Sequence, residues 1–450
     1  PYIRIQTMKE WAPVEVEHYK QAYRAAGKGN YDIYVVFVER GLQLLNPRGR
    51  LGFILPHKFF NAKYGEPLRG VIAEGRHVNQ IIHFEEQQVF SGATTYTCLL
   101  FLSNQPQDQF QFIKASDLAA WRIGGEQQSG FLSAENVTES DWNFSIDTNA
   151  PIIAKLKQMP TTLGDIAHIF VGTQTSADTV FVLDNSRIEG EFVIGYSQEL
   201  EQEVQVEAGI VKPFLRGKEI RRYQPIESTS SLICPYLIDE ESVQPMKESD
   251  LSRQFPLAYA YLKNCKAKLA SREKGKFKGN NWYAFGYPKS MTLFQRPKLI
   301  VPDYNNTASF TDDLNGHYFK TGYGILVNTG IELSPYYILG LLNSKLLFSF
   351  LMNVGTKLRG GYVRFWTQFI QQLPIRTIDP TNPTDKASHD HMVALVERML
   401  DLNKRLAAET IPHVRTTLQR QIDATDKQID ALVYGLYGLT GEEIGIVEGG

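Results

Sequence analysis

A chain of 450 residues with 43% hydrophobic content is long enough for two to four domains with buried cores, which argues against a disordered or fibrous protein. Its three cysteines, Cys98, Cys234 and Cys265, lie far apart without CxxC spacing; that argues against a disulfide scaffold or a zinc site and fits a reducing cytoplasm. The net charge of −2 conceals an uneven distribution, because residues 205–300 hold 17 Lys and Arg against 9 Asp and Glu, a local excess that suits a polyanionic partner as well as it suits a solvated surface.

Residues 1–104 read as α/β. A helix is expected over 33–45, with Ile33, Val36, Phe37, Leu42 and Leu45 on its apolar side and Glu39-Arg40 turned outward. Asn46-Pro47-Arg48-Gly49 would end it. The apolar run 51–55 predicts a central strand buried on both faces. A helix over 68–74 and strands over 78–84 and 96–102 follow. This alternation predicts a doubly wound, Rossmann-like sheet of which about half is present. Residues 105–158 are polar and read as a connector with some strand and a helix over 152–158. Residues 159–380 hold short strand-like runs at 166–171, 180–183, 192–195, 232–237, 298–302 and 323–327, with helices over 256–269 and 336–351. They predict a mixed α+β recognition domain. Residues 381–450 predict an antiparallel helical hairpin, 387–408 and 412–434, with a short tail. The expected fold class is therefore α/β followed by α+β. No apolar run approaches the ~18 residues of a membrane span, so no membrane is expected as a partner, and the N-terminus lacks a signal-peptide layout.

Conventional catalytic constellations are missing. There is no GxSxG elbow and no GxxxxGK[ST] phosphate loop. His389-Asp390-His391 reads as a solvated helix start, so no metal site is expected. Pro302-Asp303 lacks a downstream Glu-x-Lys, so no nuclease is expected within this chain.

Four pieces in order carry a resemblance: Pro1-Tyr2; Tyr31-Asp32-Ile33-Tyr34 with Phe37-Val38-Glu39-Arg40; Gly49-Arg50-Leu51-Gly52-Phe53-Ile54-Leu55-Pro56; and Val89-Phe90 with Thr94-Thr95-Tyr96-Thr97. Together they resemble the second half of the catalytic domain of TaqI-like, gamma-class N6-adenine DNA methyltransferases. Pro1-Tyr2 is similar to the end of the Asn-Pro-Pro-Tyr loop of that family. The resemblance implies that Pro1, Tyr2 and Phe90 belong to a pocket for an adenine rotated out of the duplex, with Tyr2 stacked on the base and Phe90 as a second wall. It implies that Asp32 and Tyr34 border the S-adenosylmethionine pocket, although Asp32 serves equally well as a helix N-cap. The family's Gly-rich cofactor loop would precede residue 1. The expectation is thus a C-terminal portion of a longer enzyme, inactive alone, whose parent is either a solitary methyltransferase or one fused to a nuclease of the type IIG kind.

Residues 159–380 resemble the target-recognition domain of the same enzymes, through Gly164-Asp165-Ile166, Val171-Gly172-Thr173-Gln174-Thr175-Ser176, Lys212-Pro213-Phe214-Leu215-Arg216-Gly217-Lys218-Glu219-Ile220, Trp282-Tyr283, Leu341-Leu342-Asn343-Ser344-Lys345 and Leu373-Pro374-Ile375. Double-stranded DNA is the implied partner. The expected contacts are Gln174 on a small-residue loop and three basic clusters: Arg216, Lys218, Arg221 and Arg222; Lys263, Lys266, Lys268, Arg272, Lys274, Lys276 and Lys278; and Lys357, Arg359 and Arg364 beside Gly360, Gly361 and Tyr362. The competing reading is a DNA-specificity module without chemistry, against which the first 104 residues argue.

Overall fold

The computed structural model describes residues 2–92 and 95–449. Pro1 and Thr94, both part of the expected catalytic pieces, lie outside the described residues. The chain forms two compact units, Pro1–Pro151 with Lys357–Gly361, and Ile152–Thr356 with Tyr362–Gly450.

The first unit is built on a five-stranded sheet of β1 (Arg50–Pro56), β2 (Val78–His83), β3 (Thr97–Ser103), β4 (Gln109–Lys114) and β5 (Gln128–Ser133), in the order β1-β3-β2-β4-β5. β3 runs antiparallel to both β1 and β2, β2 is parallel to β4, and β4 is antiparallel to β5. A purely parallel doubly wound sheet is therefore not what these residues make. β1 and β2 are parallel to each other because a helical crossover, Glu66–Glu74, joins them. The described residues of the β2–β3 link hold no helix, which suits an antiparallel return. The apolar run of β1 is also not buried on both faces. β1 is an edge strand among the described residues, with Leu51, Phe53 and Ile54 half-buried and only Leu55 and Pro56 buried.

The helix Tyr34–Gln43 packs Val35, Val38 and Leu42 into this unit's core. Two residues reverse their expected sides. Phe37 is 47% exposed, while Glu39 is buried and accepts hydrogen bonds from the backbone N–H of Arg24 and Ala25 at 3.2 and 2.7 Å. Two backbone donors at the end of a neighbouring turn satisfy the carboxylate, which is what a buried charge requires.

The second unit holds a six-stranded sheet, in the order Tyr318–Phe319, Val211–Leu215, Ser230–Ile233, Val182–Glu189, Phe192–Ser197, Gln202–Glu207. A four-stranded antiparallel sheet is formed by Thr311–Asp313, Lys298–Val301, Tyr323–Val327 and Ala167–Val171. The apolar helix expected over 336–351 is two helices, Pro335–Leu342 and Lys345–Val354. The break falls at Asn343-Ser344, where the Asn343 amide bonds the Phe310 N–H and C=O at 3.0 and 2.9 Å and the Ser344 hydroxyl caps the next helix. No single helix among the described residues is long and apolar enough to cross a membrane.

The C-terminal pair, Pro383–Ala408 and Pro412–Leu436, packs Met392, Val396, Ile429 and Val433 into this unit's core. The first helix starts four residues before 387 because Asn382 caps it and Pro383 opens it. His389 is not a solvated side chain. It accepts from the Ser334 N–H at 3.1 Å and packs on Tyr337.

Candidate functional site

The first candidate centre lies along the edge of β1. Backbone bonds from Ile33 to the Ile3 carbonyl at 3.0 Å and from Ile5 to the Tyr31 carbonyl at 2.9 Å hold the N-terminal segment against residues 31–33. Tyr2 then reaches β1 and donates its hydroxyl to the Ile54 carbonyl. Its ring stays 53% exposed. An aromatic ring anchored at its polar tip and half exposed is not a core side chain.

Beneath it stands Tyr34, its ring centroid 6.4 Å from that of Tyr2 and 6.3 Å from that of Phe59. Its hydroxyl is 3.1 Å from that of Tyr64. Burial drives the Tyr34 phenol well above its ordinary pKa, and burial raises Tyr64 to about 12. Tyr34 is 2% exposed, a buried ring packed beside Tyr2 and Phe59. Asp32, expected beside it, keeps a half-buried carboxyl. Burial raises its pKa, against the opposing charges of Arg4 and Lys58. Phe90 is 47% exposed on the loop between β2 and β3.

A second group here carries no sequence motif, the stacked imidazoles of His57 and His83, with centroids 4.3 Å apart and planes at 13°. Tyr96 extends the stack on His57 at 6.0 Å. His57 Nδ1 is sealed from solvent without a hydrogen-bond partner, while His83 Nδ1 accepts from the Glu85 N–H at 3.1 Å. Burial lowers His57 from 6.5 to about 4, and burial together with the His57 ring lowers His83 as well. Both are therefore neutral rings at neutral pH. No motif flagged them, because a histidine after a strand-ending proline and another within a strand have no fixed spacing. Buried Arg69 holds the 57–65 segment in place by donating to the carbonyls of Phe59, Ala62 and Glu139 at 2.6, 3.0 and 2.9 Å and to Asp141 at 3.0 Å.

The depressed histidines make a pH prediction. A group whose folded pKa lies below its unfolded value contributes stability that is complete above the unfolded value and is lost progressively as pH falls from there through the folded value. His57 should therefore cost the fold about 3 kcal/mol between roughly pH 6.5 and 4. Thermal unfolding against pH should show this loss, and His57→Phe should flatten it.

In the second unit the structure separates the expected basic residues into two groups. Lys218, Arg221, Lys274 and Lys278 are exposed, and so is Lys276, 3.6 Å from Glu273. Gln174 is exposed too. In the first unit, Arg359 is exposed on the 357–361 tip. The others are committed internally. Arg222 pairs with Asp426 at 2.5 Å and donates to the Asn343 carbonyl at 2.8 Å, which ties the helical pair to the core. Arg216 pairs with Asp184. Arg364 pairs with Asp303 and lies 5.6 and 5.2 Å from the Tyr304 and Trp366 rings. Positive charge in the sequence did not reveal these partners, because each lies 32 to 204 residues away.

Residues 1–90 match the family model described as Eco57I restriction-modification methylase. Residues 212–375 match the TaqI-like C-terminal specificity domain. The chain is 27% identical to the type II restriction enzyme and methyltransferase RM.Eco57I of Escherichia coli, over 98% of this chain and 46% of that protein. It is 21% identical to the type II methyltransferase M.BstVI of Geobacillus stearothermophilus, over 100% of this chain and 74% of that protein. Its fold is similar to that of the type IIL restriction-modification enzyme MmeI, solved in complex with DNA, with a TM-score of 0.59 at 13% identity, over 97% of this chain and 54% of that one. The chain thus spans about half the length of RM.Eco57I and of MmeI.

Proposed function

From a chain that is homologous to the Eco57I-type restriction-modification methylases and carries a TaqI-like specificity domain, we propose an enzyme that transfers a methyl group from S-adenosylmethionine to the N6 of adenine at a specific DNA sequence. In this reading residues 1–104 are the C-terminal half of a Rossmann-like methyltransferase domain, whose sheet is extended by the two strands within 105–151. Residues 159–380 read the DNA, and 381–450 form a helical spacer. The intact enzyme carries either the methyltransferase alone or a nuclease as well.

The observation that carries the reading is the anchored, exposed ring of Tyr2. An exocyclic adenine amine is a poor nucleophile, because its lone pair is delocalised into the ring. It must be brought out of the stack and held in one geometry before it can react. A ring fixed by its hydroxyl to Ile54 offers that surface at low entropic cost, with Phe90 as the second wall. S-adenosylmethionine supplies an electrophilic methyl on its sulfonium. Asp32, with its half-buried carboxyl, fits the border of a pocket for it. Sequence reading is assigned to Gln174 and the exposed cations Lys218, Arg221, Lys274, Lys276, Lys278 and Arg359. Lys and Arg on phosphates supply affinity, and Gln on a base edge supplies discrimination.

The test is methylation of mixed duplexes by the intact enzyme with labelled S-adenosylmethionine. N6-methyladenine at one sequence is the expected product. Methylcytosine, or no methylated base, overturns the reading. Duplex binding should weaken steeply between low and moderate salt; binding indifferent to salt removes the assigned cations from the interface.

A further inference from the structure

We propose that Tyr287 and Gln174 form a single base-reading element, flanked by Lys276 and Lys289 as phosphate clamps. This rests on the proposed role of the second unit in reading DNA and names the residues that would do it.

The two residues are bridged through both backbone bonds, from Gln174 N–H to the Tyr287 carbonyl at 3.0 Å and from Tyr287 N–H to the Gln174 carbonyl at 2.9 Å. Directly opposed residues in such a bridge project their side chains to the same face. Both are exposed, Tyr287 by 45%. The burial of its neighbours makes this exposure informative, because Trp282, Tyr283 and Phe285 in the same turn are 1%, 1% and 2% exposed. The segment sends three aromatic rings into the core and leaves one out. Pro288 holds Tyr287 extended.

The two loops are locked rather than loosely apposed. Buried Arg272 donates to the Thr175 carbonyl at 2.6 Å and to the Trp282 and Ala284 carbonyls at 2.9 and 2.8 Å. Gly286 sits so close that a Cβ there would lie 1.9 Å from Ser176 Oγ. Ser176, Glu273, Lys274 and Ser290 all take left-handed backbone at φ of 58, 49, 60 and 58°. Such conformations persist only where the surroundings over-determine them. The result is a rigid mount for exposed side chains, which lowers the ordering cost of binding.

The chemistry of the mount fits a nucleic acid. Lys276 Nζ and Lys289 Nζ lie 5.9 and 6.0 Å from the Tyr287 ring centroid, so two ammonium groups sit close to one exposed ring. Lys ammonium groups suit phosphates on either side of a base. The Gln174 amide has the donor and acceptor that match an adenine edge. The Tyr287 ring offers an apolar face to a base or to a thymine methyl.

The test is binding of the intact enzyme to a randomised duplex library at fixed salt. Gln174→Ala and Tyr287→Ala should each relax preference at the same or adjacent base pairs by on the order of tenfold, leaving affinity for nonspecific duplex within about twofold. Tyr287→Phe, which keeps the ring, should retain the wild-type preference. Lys276→Ala and Lys289→Ala should weaken all duplexes alike and each lower the salt slope by about one. Thermal unfolding unchanged in Tyr287→Ala establishes that the loop still folds. An unchanged preference in both alanine variants, or relaxation at unrelated positions, overturns the proposal while leaving adenine methylation intact. Failure of the wild-type enzyme to select any sequence overturns both readings, and preferential capture of an acidic peptide over duplex DNA overturns the assignment of the partner.

Discussion

Tyr2→Ala in the intact enzyme is expected to lower kcat for methyl transfer by roughly 10- to 100-fold while duplex binding stays near the wild-type level. The size follows from the loss of one base-stacking surface, about 1–3 kcal/mol. The split follows from position. Tyr2 belongs to the first unit, whereas the exposed cations assigned to the phosphates lie mostly in the second. The side chain is half exposed and its hydroxyl bonds the Ile54 carbonyl, so its removal should leave the fold intact. Tyr2→Phe separates the two features of the residue. It keeps the ring and releases the anchor, and should fall between wild type and alanine. Fluorescence of 2-aminopurine at the target adenine measures extrusion of the base directly. Full activity in Tyr2→Ala removes the ring from the pocket.

Asp313→Ala is expected to destabilise the second unit by about 3–5 kcal/mol, as for other buried pairs that lose one partner. Asp313 and Lys298 are opposed across neighbouring strands and meet at 2.5 Å, both side chains 0% exposed. The same carboxylate accepts from His317 Nδ1 at 2.8 Å and from the His317 and Asn315 N–H groups at 2.9 and 3.1 Å. Burial alone would raise the pKa of Asp313, but His317 and Lys298 outweigh it and hold the carboxyl below its ordinary value. Burial lowers Lys298. Without Asp313 the ammonium is left buried and uncompensated. Adding Lys298→Met to Asp313→Ala should therefore recover part of the loss, which denaturant unfolding would measure. No recovery would mean that the backbone bonds of the 313–317 turn, and not the ion pair, carry the stability.

Some of this architecture could be read directly from residue pattern. The helix 33–45 and the three strands of the first 104 residues announced themselves through local periodicity. So did the C-terminal helical pair. The family pieces were legible for a related reason. Their residues are contiguous within each piece, so order and spacing survive in one dimension.

What residue pattern could not supply was partnership between distant residues. It could not say that Glu39 faces inward, because the two N–H groups that satisfy it lie 14 and 15 residues upstream. It counted Arg216, Arg222 and Arg364 with the free cations, although each closes on a carboxylate remote in sequence. It paired neither His57 with His83 nor Gln174 with Tyr287, 26 and 113 residues apart by number. Local propensity and spacing act along the chain and are legible there. Charge satisfaction, ring stacking and the exposure of a single tyrosine depend on which segments fold onto one another, and tertiary packing alone settles that.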